Sequence, residues 1–185
     1  MPKSTMNELS YGISKPKDLL DKLIFEGDKL NENPHPYDLF NFFVTAAVLN
    51  EWIVKYYSNY SWVKILNPKT FSVESLPKET ASWITDKTCL PNGFDEQAHV
   101  YNAMKICWDT TNASKHFHWK DLSKVSAIED NPVVKSPYQY FFTSIEPSIY
   151  IEYADQYYNV LQIKQILNQF YSGLLNHIEV LVSET

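Results

Sequence analysis

Residues 37–57 constrain the fold more than any other stretch of this 185-residue chain. They read Tyr-Asp-Leu-Phe-Asn-Phe-Phe-Val-Thr-Ala-Ala-Val-Leu-Asn-Glu-Trp-Ile-Val-Lys-Tyr-Tyr. On a helix, apolar positions cover most of the circumference, and such a helix belongs at the centre of a bundle. Asp38, Asn41 and Thr45 form one narrow polar stripe at steps of three and four. Asn50, Glu51 and Lys55 make the segment too polar to span a membrane.

Three more helices are expected around it. Ser14 precedes Lys15-Pro16, and proline in a first turn starts helices. Leu19, Leu20, Leu23, Ile24 and Leu30 then recur at helical spacing, predicting a helix over 16–31. Asn33-Pro34-His35-Pro36 breaks it. A long helix is predicted over 95–117, with Val100, Ala103, Met104, Cys107, Trp108 and Thr111 on its apolar face. The last helix is predicted over 160–182, with Ile163, Leu167, Phe170, Leu174, Ile178 and Leu181 inward, and Gly173 as a mark of close packing. A short helix containing Trp83 is placed at 78–85, within an otherwise loop-like stretch from 58.

The pattern changes after Trp119. Residues 120–137 are polar, with Pro132 and Pro137, and read as irregular. Strand composition appears at 138–143 and at 148–153, followed by a turn at Ala154-Asp155-Gln156 into Tyr157-Tyr158. The expected fold is mainly α: a single domain over 1–185, an antiparallel helical bundle with a β-hairpin region at 138–158 before the C-terminal helix. Residues 1–13 read as a flexible arm.

Composition then removes whole classes of function. The 16 basic residues are all lysine, against 22 acidic ones, for a net charge of −6. Without arginine the chain supplies no arginine finger, no bidentate phosphate clamp and no bidentate guanine contact. An AT-rich genome, which favours Lys over Arg, accounts for the bias. With no dense lysine run, nucleic acid is not an expected partner. No Gly-x-Ser-x-Gly elbow is present. Cys89 and Cys107 lack metal-ligand spacing and suit free thiols in a reducing compartment. The N-terminal residues carry no apolar signal core and no apolar run reaches membrane-spanning length, so a cytoplasmic protein without a membrane partner is expected. No cofactor is indicated.

One constellation could carry chemistry. On the 95–117 helix, Asn102, Lys105, Asp109, Asn112 and His116 fall within about 80° of arc at 100° per residue. A solvated face stitched by a Lys105–Asp109 pair explains this grouping. A second explanation sets the stripe opposite Asp38, Asn41 and Thr45, so that two polar edges form a cleft between helices, a usual place for ligands. Asp109 or His116 would then act as general base, Lys105 would bind an anion, and Asn41 and Asn112 would orient the ligand. His116-Phe117-His118 suggests a metal pair, but no third ligand is placed, so no metal is expected. His116 also suits a helix C-terminus, where imidazolium meets the negative end of the dipole. Cys107 lies on the apolar face, as a buried inert thiol would. Tyr138, Tyr140, Tyr150, Tyr153, Tyr157 and Tyr158 could form a partner-binding surface.

Two motifs stand out: Leu39-Phe40-Asn41-Phe42-Phe43-Val44-Thr45-Ala46-Ala47 with Leu49 and Trp52, and Asn112-Ala113-Ser114-Lys115-His116-Phe117. With them the chain resembles a group of small bacterial and phage proteins that is itself similar to HEPN-type helical bundles. Those bundles include RNA-cleaving toxins and noncatalytic binding modules. The resemblance implies the bundle fold and a polar groove holding Asn112, Lys115 and His116. Catalytic HEPN proteins use an Arg with four to six positions between it and the motif's His. Here the corresponding positions are Asp109, Thr110 and Thr111. The expectation is therefore a noncatalytic module that binds a protein partner or a second copy of itself. A small-ligand protein or enzyme using the cleft is the alternative, and an RNase is the least expected.

Overall fold

The structure is a computed structural model that describes residues 12–30, 34–60, 63, 66, 96–116, 125–130, 149–153 and 156–183. Four helices carry the fold: α1 (Pro16–Asp28), α2 (Pro36–Tyr56), α3 (Glu96–His116) and α4 (Val160–Ser183). Each lies within about three residues of its predicted bounds, because capping chemistry and periodicity agree at the ends. At α1, the Asp18 carboxylate accepts from the backbone N–H of Ser14 (2.8 Å) and of Lys15 (3.0 Å). The Ser14 N–H bond leads in holding the Asp18 carboxyl below its ordinary value; burial opposes it, and the Lys15 N–H bond adds to the lowering. Pro36 opens α2, and the His35 side chain accepts from the Tyr37 N–H. At α4, the Asn159 side chain accepts from the backbone N–H groups of Leu161 and Gln162.

Helix α2 packs against α1 on one side and α3 on the other, and α4 packs against the same two helices. Tyr171 of α4 reaches across, its hydroxyl 3.5 Å from the Ala46 carbonyl of α2. Leu23 of α1, Phe42, Phe43 and Leu49 of α2, Ile106 of α3, and Leu167 and Leu174 of α4 meet in one core. The helix expected at the centre of the bundle therefore stands at a corner. Its positions 39, 42, 43, 46, 49, 50 and 53 are buried, whereas Tyr37 and Phe40 are exposed by 75% and 43%.

Helices α1 and α4 approach closely at Gly27. A Cβ there would stand 3.2 Å from the Lys164 stem and 3.4 Å from the Asn168 amide nitrogen. A side chain at this position would press on the Lys164 stem, which would have to give by a few tenths of an ångström. Lys164 continues over this contact and donates to the Leu30 carbonyl (3.3 Å).

A three-stranded antiparallel sheet, in the order β1-β2-β3, closes the described fold: β1 (Val125–Asp130), β2 (Ile149–Tyr153) and β3 (Gln156–Asn159). Strands β2 and β3 form the hairpin expected before the last helix, pairing Ile151 with Tyr158 and Tyr153 with Gln156. β1 corrects the expectation of irregular chain over 120–137. Val125-Ser-Ala-Ile-Glu-Asp130 holds few β-formers, and its pairing slips between Val125 and Ala127. Its backbone pairing with β2, rather than its own composition, makes it a strand. Ile151 and Tyr153 point inward, and the sheet packs on α3 and α4. Of the expected arm over 1–13, residues 1–11 lie outside the described residues, as do the expected helix at 78–85 and strand at 138–143, while Ile13 packs partly against the core.

Candidate functional site

The two polar stripes have different partners. On α2, Thr45 is buried and its hydroxyl accepts from Lys22 of α1 (2.7 Å). Lys22 also bonds Glu26 (3.2 Å), which receives Lys29 as well (2.9 Å). Burial acts to raise the Glu26 carboxyl, but the bonds from Lys29 and Lys22 outweigh it and hold the group below its ordinary value. Thr45 thus belongs to the α1–α2 contact. Asp38 is half-buried in the first turn of α2, and Asn41 is exposed.

On α3, the polar face turns toward the sheet. Asn102 donates to the Tyr158 hydroxyl of β3 (2.7 Å). Lys105 pairs with Asp109 at 3.3 Å, and Asp109 is only 7% exposed. Burial pushes the Tyr153 hydroxyl well up from its ordinary value, and the charge of Asp109 adds to that shift, as do Tyr101 and Tyr158. Burial likewise raises Tyr158, with the Asn102 bond acting the other way. A carboxylate, an ammonium, an amide and two tyrosines therefore form one polar cluster between α3 and the hairpin. The solvated-face explanation holds for the Lys105–Asp109 pairing but not for its setting, which the sheet covers.

Of the predicted site residues, the structure brings Lys105 and Asp109 together. Among the described residues no hydrogen bond or ion pair joins Asp38 or Asn41 to Asn112, which is half-buried near the end of α3. The side chains of Lys115 and His116 lie outside the described residues. Among the described residues, no three His, Cys, Asp or Glu side chains gather as a metal site would require. Cys107 is wholly enclosed, and burial pushes its thiol far up, so it carries no thiolate character.

Tyr153, Tyr158 and Lys22 are the functional-grade polar residues that stripe analysis left out of the stripes. The tyrosine surface expected around the hairpin is corrected at Tyr153, which is 3% exposed, and its meeting with Asp109 depends on how the hairpin docks. Asn50 was read only as a bar to membrane insertion. It is buried, donates to the Leu66 carbonyl (2.7 Å), and leaves its amide oxygen unpaired. The hydroxyls of Thr110 and Thr111 are also buried and unpaired.

The outward side of α2 is the other unusual surface. Tyr37, Phe40, Asn41 and Lys55 are exposed, and Val44, Val48, Glu51 and Trp52 are half-buried. Together they fall within about 120° of arc on the helix. No helix among the described residues is long and apolar enough to cross a membrane. Compared with known proteins, the chain matches no family model, and neither a curated protein nor a solved structure shows significant similarity to it.

Proposed function

We propose that this protein is a noncatalytic helical module, HEPN-like in arrangement, that works by binding protein, either a partner or a second copy of itself. The observation that carries this reading is the outward face of α2, where Tyr37 and Phe40 stand in solvent beside Val44, Val48 and Trp52. Aromatic residues at the surface are the usual anchors of protein interfaces. Lys105 and Asp109 of α3, by contrast, are spent on one another beside the hairpin. A photo-crosslinking amino acid in place of Phe40 tests the reading in the source cells. The expected result is a protein adduct, to this chain or another, that is missing when the same group replaces exposed Val182. No protein adduct at position 40 would overturn it, as would RNA cleavage by the purified protein that is lost in His116→Ala.

The cluster between α3 and the hairpin supports a second reading, a small anionic ligand held by Lys105 with Asp109 as base and Asn112 as an orienting group; Asn41, exposed on the outward side of α2, drops out of the expected set. The mostly covered Lys105 ammonium beside a buried carboxylate favours it, since a cation in such a setting attracts anions more strongly than one in water. A rise in melting temperature with phosphate or small carboxylates, abolished in Lys105→Met, is the expected result under this reading. No rise with any of these anions would remove it.

A further inference from the structure

Neither reading of the function uses the aromatic cluster at the end of α2. Tyr56, Tyr57 and Tyr60 fall close together where that helix stops. The rings of Tyr56 and Tyr57 stand 5.0 Å apart at 70°, as two walls meeting at a corner. The backbone then turns tightly, with the Tyr60 N–H donating to the Tyr57 carbonyl (3.0 Å), which brings Tyr60 back toward Tyr57. Tyr57 and Tyr60 are half-buried and rest partly on the core, while Tyr56 is 57% exposed. The corner is therefore held from behind and reachable from solvent.

A carboxylate joins the group. Ile53, whose carbonyl accepts from the Tyr57 N–H, and Ile178 of α4 are both fully buried in the one core. Glu179 follows Ile178 and is exposed. Burial raises the Tyr57 hydroxyl above its ordinary value, and Tyr56, Glu179 and Tyr60 add to the shift, so all three stand close enough to act on that hydroxyl.

We propose that Tyr56, Tyr57, Tyr60 and Glu179 form a binding site for a small quaternary ammonium compound, whose methylated cation rests against the rings with the carboxylate beside it. Ring faces carry the negative part of the aromatic quadrupole and attract a cation. The site is rich in such faces and poor in hydrogen-bond acceptors. A primary ammonium has three donors to satisfy and gives up a strong hydration shell on entering. A trimethylammonium has no N–H, holds water weakly, and packs its methyl groups on the rings. Glu179 and the net charge of −6 turn anions away. Elsewhere the chain builds a similar trio with a cation of its own: the Lys29 ammonium lies 4.3 Å from the centre of the Phe25 ring and 2.9 Å from the Glu26 carboxylate. At the tyrosine corner the cation comes from solution.

The test is a titration of the isotope-labelled full chain with choline chloride, followed through its backbone amide NMR shifts. Roughly millimolar binding is expected, with shifts centred on Tyr56, Tyr57, Tyr60 and Glu179. Ammonium chloride at equal ionic strength, and the uncharged analogue of choline with carbon in place of nitrogen, should each bind about tenfold more weakly. Tyr56→Leu, at an exposed position that leaves the core intact, should weaken choline about threefold, and Tyr56→Phe should stay near wild type. Sedimentation with phosphatidylcholine vesicles separates the two sources of the same group. No retention is expected, and retention that Tyr56→Leu abolishes would overturn the free compound in favour of a lipid headgroup. No choline-dependent shift at these residues, equal binding of the uncharged analogue, or unchanged affinity in Tyr56→Leu would each overturn the proposal. The reading of Tyr37 and Phe40 as a protein-binding surface stands or falls separately, on crosslinking at Phe40.

Discussion

Helices α2 and α3 have the same length and opposite allocations of side chains. On α2, large apolar groups stand in solvent, with Phe40 43% exposed while Phe42 is fully buried. On α3, charged groups are taken inside, with Asp109 7% exposed and Lys105 mostly covered. The usual rule of apolar in and polar out is thus relaxed twice, in opposite directions. The two departures have different physical standing. A buried ion pair persists only when its partners and hydrogen bonds are fixed, so the α3 cluster ties the hairpin to the bundle. The exposed rings of Tyr37 and Phe40 add little to the stability of a lone chain, so their value lies in what they touch.

Substitutions can break this contrast in graded fashion. The largest effect is expected on the inner side of α2: Phe42→Ala should cost about 3–5 kcal/mol in urea unfolding. Phe40→Ala, two residues away, should stay within about 0.5 kcal/mol in dilute monomer. Equal costs would mean that α2 has no free face. Asp109→Ala leaves Lys105 without its carboxylate under the sheet and should cost about 3 kcal/mol. Restoring a neutral contact with Lys105→Met in that background should recover part of it, which separates the lost charge pairing from lost packing. Asn102→Ala removes the bond to Tyr158 and should cost about 1 kcal/mol.

The smallest effect belongs to the α1–α2 contact and is read from pH. The folded carboxyl of Glu26 lies below its ordinary value of 4.5, so its contribution is complete above that value and is lost as pH falls from there through the folded value. Stability measured across that window should decline less steeply in Glu26→Gln. An unchanged slope would mean that the bonds from Lys22 and Lys29 hold Glu26 no better folded than unfolded.

Much of the fold was legible before any coordinates. Helix positions followed from Leu19-Leu20-Leu23, from the long apolar run after Tyr37, and from the Ile163-to-Ile178 stripe, because period and caps are local properties. The hairpin of β2 and β3 was legible for the same reason, since Ile149-Tyr-Ile-Glu-Tyr153 alternates. β1 was not, because its strand character depends on the distant β2. In the candidate site, the grouping of Asn102, Lys105, Asp109 and Asn112 on one face was legible as helical geometry. That this face meets Tyr153 and Tyr158, and that Thr45 meets Lys22, was not, since neither pairing leaves a mark in spacing.

The sequence by itself determined the helical class, the lysine-only cation set and the excess of apolar surface on α2. These depend on residue identity and on periodicity within one element. Only the tertiary structure decided that α2 takes a corner rather than the centre, and that the charged face of α3 is covered by a sheet. Those outcomes depend on which elements pack together, and a burial pattern along one helix states how much surface must be covered without stating by what.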